Sequence, residues 1–246
     1  MKKNTRGIAI AVGVLLILAI LLALLLPLVF KTVYVDKYGQ EYYDIFAGVQ
    51  TGSYVKFGAY EQDRDNSNGP EAIQWQVLCI EGNKALLVSR YALDCIVYSN
   101  TEDDITWEKS YIRSWLNRKF LEKAFNEADL AVIQETQIVP DRKAENGDDP
   151  GPATSDRVFL LSYRDASTYF PDNESRRCQA TGYAKLQGVM ATVEDNVCWW
   201  WLRSPGNNLS SAAYVMINGY AYAGGDKANE DFVGVRPAIW VELPMG

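Results

Sequence analysis

The chain has 246 residues, a formal net charge of −7, four cysteines and no histidine. The missing imidazole removes Ser-His-Asp catalysis, His-ligated zinc and imidazole general-base chemistry together. The acidic balance, stronger still once the basic amino terminus is set aside, argues against nucleic acid as a partner.

Residues 7–30 carry no charge and follow a basic cap of Lys2, Lys3 and Arg6. As a helix rising about 1.5 Å per residue they would measure roughly 36 Å, enough to cross a hydrocarbon core of about 30 Å. No small-x-small cleavage site closes the run, which separates it from a secretory leader. The basic flank orients the amino terminus inward. The expected layout is a cytoplasmic tail over 1–6, a transmembrane helix over 7–30, a stalk over 31–50 and an extracellular domain over 51–246. That is a single-pass protein of the cell membrane, with one domain large enough for a full core.

Short strands begin at Tyr54. Residues 54–58 and 72–80 read as short strands, and Gly82-Asn83 turns the second run into residues 85–89 as a hairpin. The loop 63–69 has oxygen side chains at alternate positions, but its glycine falls one place late for a calcium loop and Pro70 follows, so it reads as a solvated turn. Helical spacing then joins Tyr111, Ile112, Trp115, Leu116 and Phe120, with Ser110 or Thr106 able to cap. Asn126 can cap a further helix through Ile133. Residues 141–152 are charged and rich in Gly and Pro, hence an exposed loop. Residues 158–162 form a buried strand and residues 164–169 a helical turn.

Trp199, Trp200, Trp201 and Leu202 place large apolar groups on both faces of one strand, so that strand lies inside the core. Asn218-Gly219 suits a two-residue type I′ turn, which pairs Tyr222 with Val215 and Tyr220 with Ile217. Residues 232–241 return as the final strand. Arg203 and Arg236 interrupt apolar strands, and a buried guanidinium needs a partner. Their expected role, with Trp200 and Trp201, is structural, with Glu108 and Asp156 as carboxylate partners. Cys178 and Cys198 flank a loop-like stretch and are the candidate pair for a disulfide, although four cysteines permit three pairings.

Several blocks carry a resemblance. Trp107-Glu108, Ser110, Arg113 and Trp115-Leu116-Asn117, then residues 200–206 (WWLRSPG) and 234–238 (GVRPA), resemble an uncharacterised bacterial domain-of-unknown-function family across residues 52–243. That family is similar to the C-type-lectin-like fold shared with formylglycine-generating enzymes and the variable proteins of diversity-generating retroelements. The resemblance implies an α+β domain of short antiparallel strands and one or two packed helices, whose last strands and loops form an outward surface. It implies no activity.

Residues 207–231 are mostly Asn, Ser, Ala, Tyr, Gly and Asp, a mixture that binding loops favour and that ordinary hairpin turns also use. The expectation is a ligand-binding or adhesion module contacting an extracellular protein or glycan through Asn207, Asn208, Ser210, Tyr220, Tyr222, Asp226 and Asn229. No catalytic residue, metal or cofactor is assigned. Two alternatives stay open: an enzyme on a formylglycine-generating-like scaffold acting on envelope proteins through Cys198 or a carboxylate set, and a structural envelope protein.

Overall fold

The computed structural model describes residues 42–101, 103 and 105–244, all within one compact unit. The expected tail, membrane span and residues 31–41 of the stalk lie outside them. Among the described residues no helix is long and apolar enough to cross a membrane. The end of the expected stalk belongs to the domain instead. Helix α1 (Tyr42–Phe46) buries two aromatic rings spaced one turn apart, and Phe46 meets Phe57 at 5.6 Å between ring centroids.

The class is mixed α+β with mainly antiparallel sheets. The first sheet runs β1 (Tyr54–Tyr60), β2 (Glu71–Glu81), β3 (Lys84–Ser89), β14 (Ala238–Glu242) and β7 (Val158–Phe159), antiparallel throughout. Glu81 faces Lys84 across Gly82-Asn83, and the positive φ at Gly82 is what such a tight turn demands of its first central residue. The second sheet runs β12 (Ala221–Lys227), β11 (Ser211–Val215), β10 (Trp200–Pro205), β13 (Gly234–Val235) and β4 (Asp94–Cys95); only β10 and β13 are parallel. Two short pairs complete the strands, β5 (Thr136–Ile138) with β6 (Thr154–Asp156) and β8 (Cys178–Gln179) with β9 (Val197–Cys198).

The helices start where short-range chemistry permits. Ser110 accepts the Arg113 amide at the head of α2 (Tyr111–Trp115), which runs through a π turn over Leu116–Phe120 into α3 (Leu121–Ala124). Asn126 and Asp129 form a capping box on α4 (Glu127–Val132), and Ser162 and Asp165 form another on α5 (Tyr163–Tyr169). Two further helices were not legible in the apolar spacing, α6 (Asn173–Arg176) and α7 (Gly182–Leu186). Both are too short for a periodic stripe.

Residues 232–241 do not make one strand. The segment breaks at Arg236-Pro237, so β13 joins the second sheet and β14 the first. Proline has no N–H to continue a ladder. A second crossover, residues 89–94, runs beside it: the Ser89 amide donates to the Pro237 carbonyl at 2.9 Å and the Leu93 amide to Val235 at 2.9 Å. Both changes of sheet therefore occur at one seam. Trp75, Trp200 and Trp201 are fully buried in the core that the sheets enclose.

Candidate functional site

The hairpin proposed for ligand contact turns differently from its expected form. Gly219 has φ +77°, whereas Asn218 stays at negative φ, so the type I′ turn, which needs positive φ at both residues, is not formed. The Gly219 amide donates to Met216 and the Met216 amide to Tyr220, a longer turn that shifts the register by one residue. Tyr222 faces Tyr214, and Ala221 faces Val215. Tyr220 and Tyr222 remain exposed, the latter edge-on to Tyr214 at 5.8 Å.

The polar members of the set serve their own turns. Asn208 accepts from the Ser210 amide at 3.1 Å and its hydroxyl at 2.8 Å, and Asp226 accepts from the Lys227 amide at 2.9 Å. The Asn207 amide donates to Gly224 at 2.8 Å, and Asn229 is exposed. Only the two tyrosines present a large surface.

The structural arginines also find other partners than expected. Arg203 pairs with Asp165 at 2.6 Å and donates to the Leu160 carbonyl at 2.8 Å. Asp156 is occupied by Arg113 at 2.6 Å, Trp107 Nε1 at 2.9 Å and Thr154 Oγ1 at 2.6 Å; Glu108 offers Arg113 its backbone carbonyl. Partner choice follows the tertiary meeting of α5 with β10, which spacing along the chain does not encode.

Arg236 has no carboxylate partner among the described residues. It is 2 % exposed, its Nε donates to the Ser89 carbonyl at 2.8 Å, and Nη1 has no hydrogen-bond partner. Its guanidinium lies 4.9 Å from the Trp200 ring centroid and 5.2 Å from Phe170. These contacts hold a cation at the seam where the chain changes sheets. They leave part of its donor capacity unspent, which is costly for a buried charge.

Arg236 lines a polar cleft of about 300 Å³. The crossover supplies Arg90 and Tyr91, the segment after α6 supplies Arg177 and Gln179, and Asp195 lines the cleft beside those two. Arg177 is bound by Glu174 at 2.9 Å and by Asp195, and Gln179 Nε2 donates to the Asp195 carbonyl at 2.7 Å. A hydrogen bond from Thr192 and the pairing with Arg177 hold the Asp195 carboxyl below its ordinary pKa. Arg90 donates to Gln74 Oε1 at 3.0 Å and lies against the rings of Tyr54 and Tyr91. A second hollow of about 300 Å³ shares Tyr91 and Gln179 with the first.

Behind the cleft, Cys178 and Cys198 are direct register partners, and both are buried free thiols. Burial opposes ionisation of Cys178, but the hydrogen bond from Cys198 and the Arg236 charge outweigh it and bring that thiol down; Cys198 is pushed well up by the same hydrogen bond.

Elsewhere, Glu61, Asp63 and Glu71 converge within 4.8 Å. The loop that follows spends its oxygens on itself: Asp63 accepts from the Asp65 amide and from Asn68, and Asp65 from the Ser67 amide.

Residues 82–243, more than half of the chain, match the family described as "Domain of unknown function (DUF6273)". The chain belongs to that family. No curated protein and no solved structure matches it. The family region contains Arg90, Arg177, Asp195 and Arg236, whereas Tyr54 and Gln76 come from β1 and β2, which precede it. Of the cleft residues, sequence reasoning singled out only Arg236, as a structural residue. The available signal was a charge followed by proline inside an otherwise apolar run.

Proposed function

We propose that this protein is a membrane-anchored, externally displayed ligand-binding module on a C-type-lectin-like scaffold, and that its ligand sits in the cleft over Arg236. The return of the last strand to pair with an early one, β14 with β3, supports the scaffold assignment. The uncharged run at 7–30 supports the anchor. The single observation that carries the binding reading is a buried guanidinium without a carboxylate partner among the described residues, on a residue that lines an open polar cleft. Pockets for small molecules combine such a concavity with a few convergent polar groups. Tyr220 and Tyr222 then serve as an outer contact surface for a protein or glycan rather than as the primary site. The enzyme alternative through Cys198 is disfavoured by a thiol with no exposed surface.

A panel of small polar compounds screened against the full chain by ligand-observed NMR tests the reading. Gln179→Trp, at an exposed wall position, should fill the cleft and abolish the signal of at least one compound that binds the unmodified chain. If no compound loses its signal in this variant, the cleft is not the binding site.

A further inference from the structure

We infer that the cleft takes a small monocarboxylate, held through its carboxylate by Arg236 and Arg90. This rests on the binding reading above and names the chemistry of its ligand.

The charges around the cleft differ in how far they are already satisfied. Arg177 is held between Glu174 and Asp195, so its charge is spoken for. Arg90 has a neutral acceptor, Gln74, and Arg236 a backbone carbonyl. Neither has a carboxylate partner among the described residues. The thiols of Cys178 and Cys198 also lie close enough to feel the Arg236 charge, and sulfur is a weak acceptor that does not complete a guanidinium. An oxyanion in the cleft would set a counter-charge beside a desolvated guanidinium, where charge-assisted hydrogen bonds are strongest.

The same surroundings limit the ligand's charge. Arg90, Arg177 and Arg236 face Glu174 and Asp195, which leaves a single positive charge in excess. The two carboxylates would repel a dianion or a phosphate chain, while one carboxylate is balanced. Around it, Gln76, Gln179 and Tyr91 offer neutral donors and acceptors, so the remainder of the ligand is polar. The volume sits at the low end for small-molecule sites, which suits an acylated amino acid or a sugar acid.

Calorimetric titration of the full chain tests this with two acids, N-acetylglycine and glucuronate, their neutral counterparts N-acetylglycinamide and glucose, and inorganic phosphate. At least one acid should bind roughly tenfold or more tightly than its counterpart, and the tighter acid identifies the source of the carboxylate. Phosphate should bind more weakly than that acid. Arg90→Gln, an exposed change that leaves the core intact, should weaken the acid by several-fold and leave the neutral compound unchanged. Arg236→Gln should abolish the preference where near-ultraviolet circular dichroism shows a native fold. Equal affinity for acid and neutral compound would overturn the carboxylate assignment while leaving the cleft a binding site. Tighter phosphate, or an unaltered acid preference in Arg90→Gln, would also overturn it. Absence of binding by every probe, together with no Gln179→Trp-sensitive compound in the panel, would remove the binding reading itself.

Discussion

Cys178 and Cys198 oppose each other across the β8–β9 pair as buried free thiols. Directly opposed residues in an antiparallel pair have Cα atoms roughly 4.5–5.5 Å apart, inside the window that a disulfide spans. Refolding the chain with oxidised glutathione should therefore join these two thiols and leave Cys79 and Cys95 free. The linked form should be more stable by about 3 kcal/mol, from the constraint on the loop between them. Alkylation followed by peptide mass mapping reads the pairing; four alkylated cysteines after oxidation would refute it.

Gly219 approaches the neighbouring helix too closely for any side chain. A Cβ there would stand 1.6 Å from the Asn173 carbonyl oxygen, and φ is +77°. Gly219→Ala should cost about 2 kcal/mol or more in urea denaturation. Because Arg176 donates to the Gly219 carbonyl at 2.9 Å, the change should also disturb the segment that carries Arg177 into the cleft.

Asp156 collects three donors while itself only 1 % exposed. Asp156→Ala leaves the Trp107 indole and the Thr154 hydroxyl unpartnered and the Arg113 guanidinium without its carboxylate, and should destabilise by about 3 kcal/mol. Chemical denaturation of the full chain measures this, and a loss below about 1 kcal/mol would show that water replaces the carboxylate.

Asp94 provides the pH dependence. Burial pushes its carboxyl above the ordinary range, against the opposing hydrogen bonds from Tyr60 at 2.5 Å and the Cys95 amide at 2.7 Å. Between the ordinary aspartate pKa and the raised value, the native state holds a proton that the unfolded chain has released. Stability from this group is thus fully present at the acid end and declines as pH rises through that window. Asp94→Asn should flatten that part of the stability profile, read by thermal melts across the acidic range. An unchanged slope would assign the pH dependence to other groups.

Topology has its own test. Brief protease treatment of intact cells should digest the domain from outside and spare a fragment containing residues 7–30. Complete protection would place the domain on the other side of the membrane.

Local features were readable because they depend on a few neighbouring residues. Asn126 and Ser110 cap helices through their own side chains, Gly82-Asn83 closes a hairpin by backbone sterics, and the tryptophan run fills both faces of a strand. The turn at Asn218-Gly219 was misread because one residue of added loop exchanges a type I′ turn for a longer one. The same dipeptide serves either.

The sequence by itself determined the uncharged amino-terminal run, the absence of imidazole chemistry, the α+β class and the family signatures. The first two follow from composition, and the α+β class is what the resemblance carried by those signature blocks implies. Only tertiary structure decided the site. Arg236 became a cation without a carboxylate because its strand changes sheets beside a second crossover, bringing Arg90, Arg177 and Asp195 from distant segments into one cleft. Such a meeting is a property of chain topology, in which distance along the sequence says little about distance in space.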